Sequence, residues 1–87
     1  MELNLSNKKV LVTGSSRGIG LKIAQSYLSE NSWVCINGRN QNHLAKIIKE
    51  TKSKKLFSLK YDLSNEKNHA LILSDANKIM NGLDILV

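Results

Sequence analysis

Residues 13–20 read Thr-Gly-Ser-Ser-Arg-Gly-Ile-Gly, and this segment limits the fold more than any other. An apolar run, Lys9-Val10-Leu11-Val12, precedes it and has the character of a buried parallel strand. A helical pattern opens near Gly18. A glycine-rich turn between a strand and a helix N-terminus gathers backbone N–H groups, and the helix dipole adds roughly half a positive charge there. Such a turn suits a phosphate. In this reading Gly14 permits the tight turn, Gly18 lets backbone approach a pyrophosphate, and Gly20 lets the helix lie close to the sheet.

The rest of the chain alternates strand and helix. Lys8 to Val12 is the first predicted strand. Gly18 to about Glu30 is the first helix, with Ile19, Ile23 and Tyr27 on one face and Ala24 and Leu28 beside them. Trp33 to Asn37 is a second strand, followed by a Gly38-Arg39-Asn40 turn in which Asn40 caps the next helix. Leu44, Ile47 and Ile48 form that helix's buried stripe. Lys55 to Tyr61 is a third strand. Ser64 is the expected cap of a third helix, with Leu73, Ala76, Ile79 and Met80 inward. Leu83 to Val87 opens a fourth strand. Strands separated by helices imply a parallel sheet with right-handed crossovers. The expected fold class is therefore α/β, a Rossmann-type parallel sheet in the order β-α-β-α-β-α-β. The chain stops on the last apolar residue of the fourth predicted strand. The expectation is that residues 1–87 are the N-terminal half of a single domain, truncated after that strand.

Composition narrows the function classes. With 87 residues the chain is one domain at most, and its core is small. It has no apolar run of about 18 residues, which speaks against a membrane span. Met1-Glu2-Leu3-Asn4 lacks the basic start and apolar core of a secretory signal, so a cytoplasmic location is the default expectation. The single cysteine, Cys35, lies in a strand-like run and reads as an inert core residue. The formal charge is +6, from 13 Lys+Arg against 7 Asp+Glu. Lys46, Lys49, Lys52, Lys54 and Lys55 fall in and after one helical segment and read as a solvated face. Only one Trp, two Tyr and one Phe occur in the chain, so no aromatics interleave with those lysines, and nucleic acid is not the expected partner. His43 and His69 have no Cys, Asp or Glu at ligand spacing. They read as solvated, and no metal site is expected.

Three further positions bear on chemistry. An acidic residue at the end of the second strand would accept hydrogen bonds from a ribose 2′-OH and repel a 2′-phosphate. Here that slot holds Asn37 or Gly38, and Arg39 follows at once. A guanidinium fork suits a phosphate, and Arg17 in the glycine turn reaches toward the same region. The combination favours NADP(H) over NAD(H). Tyr61-Asp62-Leu63 ends the third strand, where Asp62 either contacts an adenine amino group or helps to cap the following helix. Asp84, at the start of the fourth strand, reads as structural.

The Thr-Gly-x-x-x-Gly-x-Gly spacing differs from Gly-x-Gly-x-x-Gly and resembles the cofactor motif of the short-chain dehydrogenase/reductases. With the Gly38-Arg39-Asn40 turn, the Asp62-Leu63 pair and the Leu83–Val87 strand in the family's order, the resemblance covers essentially the whole chain. It looks most like the acyl-carrier-protein, sugar and alcohol reductase branches. The resemblance implies hydride transfer between a nicotinamide and a carbonyl or alcohol carbon, in a protein that forms homo-oligomers. It implies cofactor contacts at Thr13, Gly14, Ser15, Ser16, Arg17, Gly18, Ile19, Gly20, Arg39, Asn40, Asp62 and Leu63. It implies no catalytic residue here, because the family's tyrosine and lysine lie four apart, whereas Tyr27 is followed by Asn31 and Tyr61 by Asn65. The expectation is an NADP(H)-dependent oxidoreductase seen as its cofactor-binding fragment, inactive alone. A truncated product that only binds nucleotide is the main alternative, and a small basic nucleic-acid-binding protein a lesser one.

Overall fold

The computed structural model describes residues 5–87; Met1–Asn4, read above as no secretory signal, lie outside the described residues. The elements are β1 (Lys9–Val12), α1 (Gly18–Ser29), β2 (Trp33–Gly38), α2 (Gln41–Thr51), β3 (Leu56–Lys60), α3 (Lys67–Met80) and β4 (Ile85–Leu86). The four strands form one parallel sheet in the order β3-β2-β1-β4. This is the expected Rossmann-type α/β architecture. Its observed boundaries move inward by one to two residues in several strands and by about one residue at the end of α1.

The continuous apolar runs of β1 and β2 are explained by burial on both sheet faces. Alternate side chains point to opposite faces. Val10, Val12, Val34 and Ile36 pack with Ala24 of α1 and with Leu44 and Ile47 of α2. Leu11 and Cys35 face the other way, against Ile72, Ala76 and Met80 of α3. Burial pushes the Cys35 thiol up to about 12, so at neutral pH it stays protonated and unreactive.

Two helices differ from expectation. Ile19 does not join the core but is 79% exposed. It lies in the first turn of α1. The helix turns Ala24 fully inward, with Ile23, Tyr27 and Leu28 packed around it. In α3 the buried stripe is Ile72, Ala76 and Met80, while Leu73 and Ile79 are 37% and 43% exposed. That helix also begins three residues later than its expected cap. Ser64 does not cap it. Its N–H and hydroxyl both donate to Asp62 Oδ1, at 3.0 and 2.7 Å, in a tight Asx-type turn. Asn65 Oδ1 accepts instead from Lys67 N–H at 3.1 Å, at the true start of the helix.

β4 is held to β1 by more than its short ladder. Asp84 Oδ2 accepts from Lys9 N–H at 2.8 Å, and Asp84 N–H donates to the Lys9 carbonyl at 2.7 Å. The structural reading of Asp84 is thus correct. Lys55 departs from the lysine face read from the sequence. It is half-buried, its Nζ donates to Asn7 Oδ1 and Asn31 Oδ1 at 2.9 Å each, and it lies 5.1 Å from the Trp33 ring centroid. Lys46, Lys49, Lys52 and Lys54 remain exposed. No helix among the described residues is long and apolar enough to cross a membrane.

Candidate cofactor site at the carboxyl ends of the strands

The turn after β1 takes its shape from buried polar groups as much as from glycine. Gly14 and Gly18 both have φ of +56°, a left-handed conformation that side-chain-bearing residues rarely adopt. Between them Ser15 is fully buried. Its hydroxyl donates to the Val12 carbonyl and accepts from Asn37 N–H at 2.8 Å. Ser15 was expected among the cofactor contacts. Its side chain is instead spent inside the protein, holding the turn against β2.

Asn37 is the centre of this arrangement, a role that no local pattern assigns to it. It is 2% exposed at the end of β2. Its Oδ1 accepts from Gly14 N–H at 3.0 Å. Its Nδ2 donates to the Leu59 and Tyr61 carbonyls at 3.2 Å each. Only this orientation of the amide satisfies one N–H and two carbonyls at once. The slot for a ribose-binding acid therefore points inward at residue 37, and no carboxylate there faces solvent. A polar residue closing an otherwise apolar buried strand is the signal that marks it.

The helix N-terminus beside this turn is open. Arg17 precedes α1 in an extended conformation and makes no side-chain cap, and the first turn carries no acidic residue. The leading N–H groups of a helix lack intrahelical partners, so they offer donors and partial positive charge to an anion. Gly20 is required by close approach to the turn itself, not to the sheet as expected. A Cβ there would overlap the Gly14 carbonyl oxygen and lie 3.0 Å from Ser15 Cα.

Half of the expected contacts converge on one cleft of about 300 Å³. Gly14, Ser16, Arg17, Asn37, Gly38, Arg39, Tyr61, Asp62 and Leu63 line it. Arg17, Gly18, Arg39 and Asp62 are exposed. The Asp62 carboxyl is held below its ordinary value, chiefly by the Ser64 hydroxyl, then by Ser64 N–H, with a smaller pull from the Arg39 charge. Its hydrogen bonds are therefore present at neutral pH and are lost only as pH falls through that lowered value. An acid titration followed at the Ser64 amide should give a midpoint below that of free aspartate; a midpoint at or above it would contradict the geometry. Half-buried Tyr61 forms the neighbouring wall and donates its hydroxyl to Asp75 on α3. That bond, with partial burial and the Asp75 charge, raises the Tyr61 pKa.

Six expected residues do not line the cleft: Ser15, Gly18 and Gly20 of the turn described above, and Thr13, Ile19 and Asn40. Thr13 donates its hydroxyl to the Val87 carbonyl at 2.8 Å and joins β1 to the chain after β4. Asn40 caps α2, its Oδ1 accepting from His43 N–H at 3.0 Å. Ile19 is exposed on the lip of the helix N-terminus. Neither histidine is merely solvated. His43 Nε2 lies 2.8 Å from the Ser16 carbonyl, and His69 Nε2 lies 2.7 Å from that of Leu63. No group of three or more His, Cys, Asp or Glu residues able to hold a metal ion occurs among the described residues.

Residues 8–87 match the family model described as short chain dehydrogenase. The chain belongs to the short-chain dehydrogenase family. It is 38% identical over its whole length to an uncharacterized oxidoreductase, YvrD, of Bacillus subtilis, of which it spans 33%. It is 33% identical, again over its whole length, to the 3-oxoacyl-[acyl-carrier-protein] reductase FabG of Aquifex aeolicus, of which it spans 36%. A crystal structure of a protein provisionally assigned as a short-chain alcohol dehydrogenase, from Sinorhizobium meliloti 1021, superposes with a TM-score of 0.85 at 32% identity. That match covers 95% of this chain and 34% of the other. The chain thus spans about a third of the length of these short-chain dehydrogenases.

Proposed function

We propose that this chain is the N-terminal, cofactor-binding part of an NADP(H)-dependent oxidoreductase. The observation that carries the reading is the shared cleft. Two exposed guanidinium groups, from Arg17 and Arg39, border it beside an uncapped helix N-terminus, and the side chain at residue 37 is turned away. This donor set fits a dinucleotide with an extra phosphate. The helix N-terminus suits the pyrophosphate. The arginines suit a ribose 2′-phosphate by charge-assisted hydrogen bonds. Asp62 and Leu63 lie where an adenine would meet the end of β3.

When bound, the nicotinamide cofactor supplies hydride exchange with the carbon of a carbonyl or alcohol substrate. The 87 residues hold no Tyr-x-x-x-Lys pair. The proposal therefore gives them the binding and orientation of the cofactor, not the proton transfer. Family membership further supports a homo-oligomeric enzyme.

Arg39→Ala tests the cofactor assignment. Charge-assisted bonds of this kind are worth about 1.5–3 kcal/mol, so NADPH binding should weaken roughly ten- to hundredfold. NADH binding should change little. Titrating both cofactors into both proteins reads the difference, and equal losses would take Arg39 out of the phosphate site.

A further inference from the structure

The two arginines of the proposed site stand on separate turns, and a side chain outside both joins them. His43 is the third residue of α2 and is half-buried. Its Nε2 lies 2.8 Å from the Ser16 carbonyl oxygen. A carbonyl oxygen only accepts, so Nε2 carries the proton and donates in both the neutral and the cationic ring. The backbone of His43 is fixed in turn by Asn40 Oδ1, and Asn40 follows Arg39 directly. Gly38 completes the join. A Cβ on it would stand 2.7 Å from Ser16 Cβ and Oγ, so the two turns touch only because residue 38 lacks a side chain. The earlier part of the glycine turn has its own anchors, since Gly14 N–H and Ser15 N–H both donate to Asn37. Ser16 and Arg17 lie past those anchors, at the end that His43 holds.

We propose that His43 is a positioning residue for the 2′-phosphate end of the cofactor. By fixing the Ser16 carbonyl it holds the Arg17 turn against the Arg39 turn, so that both guanidinium groups serve one phosphate. This rests on the NADP(H) reading above. The effect of His43 falls on the cofactor that carries the 2′-phosphate. The pyrophosphate end is held separately, by Asn37 and by the contact of Gly20 with the turn.

The test uses the full 87-residue chain, labelled with 15N and titrated with NADPH and with NADH. His43→Ala should weaken NADPH roughly three- to tenfold, the equivalent of one lost hydrogen bond, and leave NADH within about twofold. His43→Gln should restore most of the loss, because a glutamine Nε2 amide reaches and donates without charge. The amide spectrum reports whether each variant is folded. Parallel losses for both cofactors, or no loss for NADPH, would overturn the role of His43. So would a His43→Gln variant as weak as His43→Ala, since charge and not the hydrogen bond would then be responsible. Equal binding of NADPH and NADH by the unaltered chain, or binding of neither, would instead overturn the NADP(H) reading and this proposal with it.

Discussion

Asn37→Asp is expected to destabilise this chain strongly rather than to turn its cofactor choice toward NAD(H). The substitution places an acid at the position where the sequence pattern looks for one. The structure points that side chain inward, to the Gly14 N–H and to the Leu59 and Tyr61 carbonyls. A carboxylate keeps the first bond, loses both donors and sets a negative charge against two carbonyl oxygens at a site 2% exposed. An unpaired buried charge of this kind costs about 3–5 kcal/mol, against a total stability of about 5–15 kcal/mol for a small domain. The group escapes part of that cost by binding a proton, so its folded pKa is raised. Stability should then be highest below the ordinary aspartate value near 4 and fall as pH rises above it. Urea melts of Asn37→Asp from pH 4 to pH 8 measure this. An unchanged midpoint with improved NADH binding would show that the side chain faces the ribose after all.

Gly20→Val should abolish binding of both cofactors and destabilise the fold. A Cβ at residue 20 meets backbone on every near side: the Gly14 carbonyl oxygen, Ser15 Cα at 3.0 Å and Gly14 C at 3.1 Å. Backbone cannot swing aside as a flexible side chain can. α1 must therefore move off the turn, at a cost of about 1–3 kcal/mol for overpacking. The N–H groups at its start move with it. This differs from Arg39→Ala, whose loss is confined to NADPH. It also differs from Gly18→Val. There the added Cβ meets nothing within 4 Å, and the φ of +56° alone strains the fold by about 1–3 kcal/mol. A side chain at residue 18 would stand where backbone must meet the pyrophosphate, so binding should fail there without α1 being forced off the turn. Circular dichroism with cofactor titration separates the cases. A folded Gly20→Val protein with normal NADPH binding would exclude this turn as the phosphate site.

Local pattern was enough to specify the architecture. The runs Val10–Val12 and Val34–Ile36 announce strands covered on both faces, and the glycine turn announces the strand-to-helix junction, because each depends only on neighbours in the chain. Half of the residues expected at the site meet at the cleft for the same reason: in a parallel sheet the strand ends fall on one edge. The roles of the polar side chains in and beside the turn were not legible. Ser15 is sealed inside, Asn37 knots β1, β2 and β3 together, and His43 holds Ser16. Each of these bonds spans more than 20 positions of sequence. In α3 the helical period was clear, yet the buried stripe is 72, 76 and 80 because Leu11 and Cys35 lie opposite it. Period and turn chemistry are properties of a segment alone. Which polar group is turned inward, and what it bonds, is decided by the partner that packing brings to it.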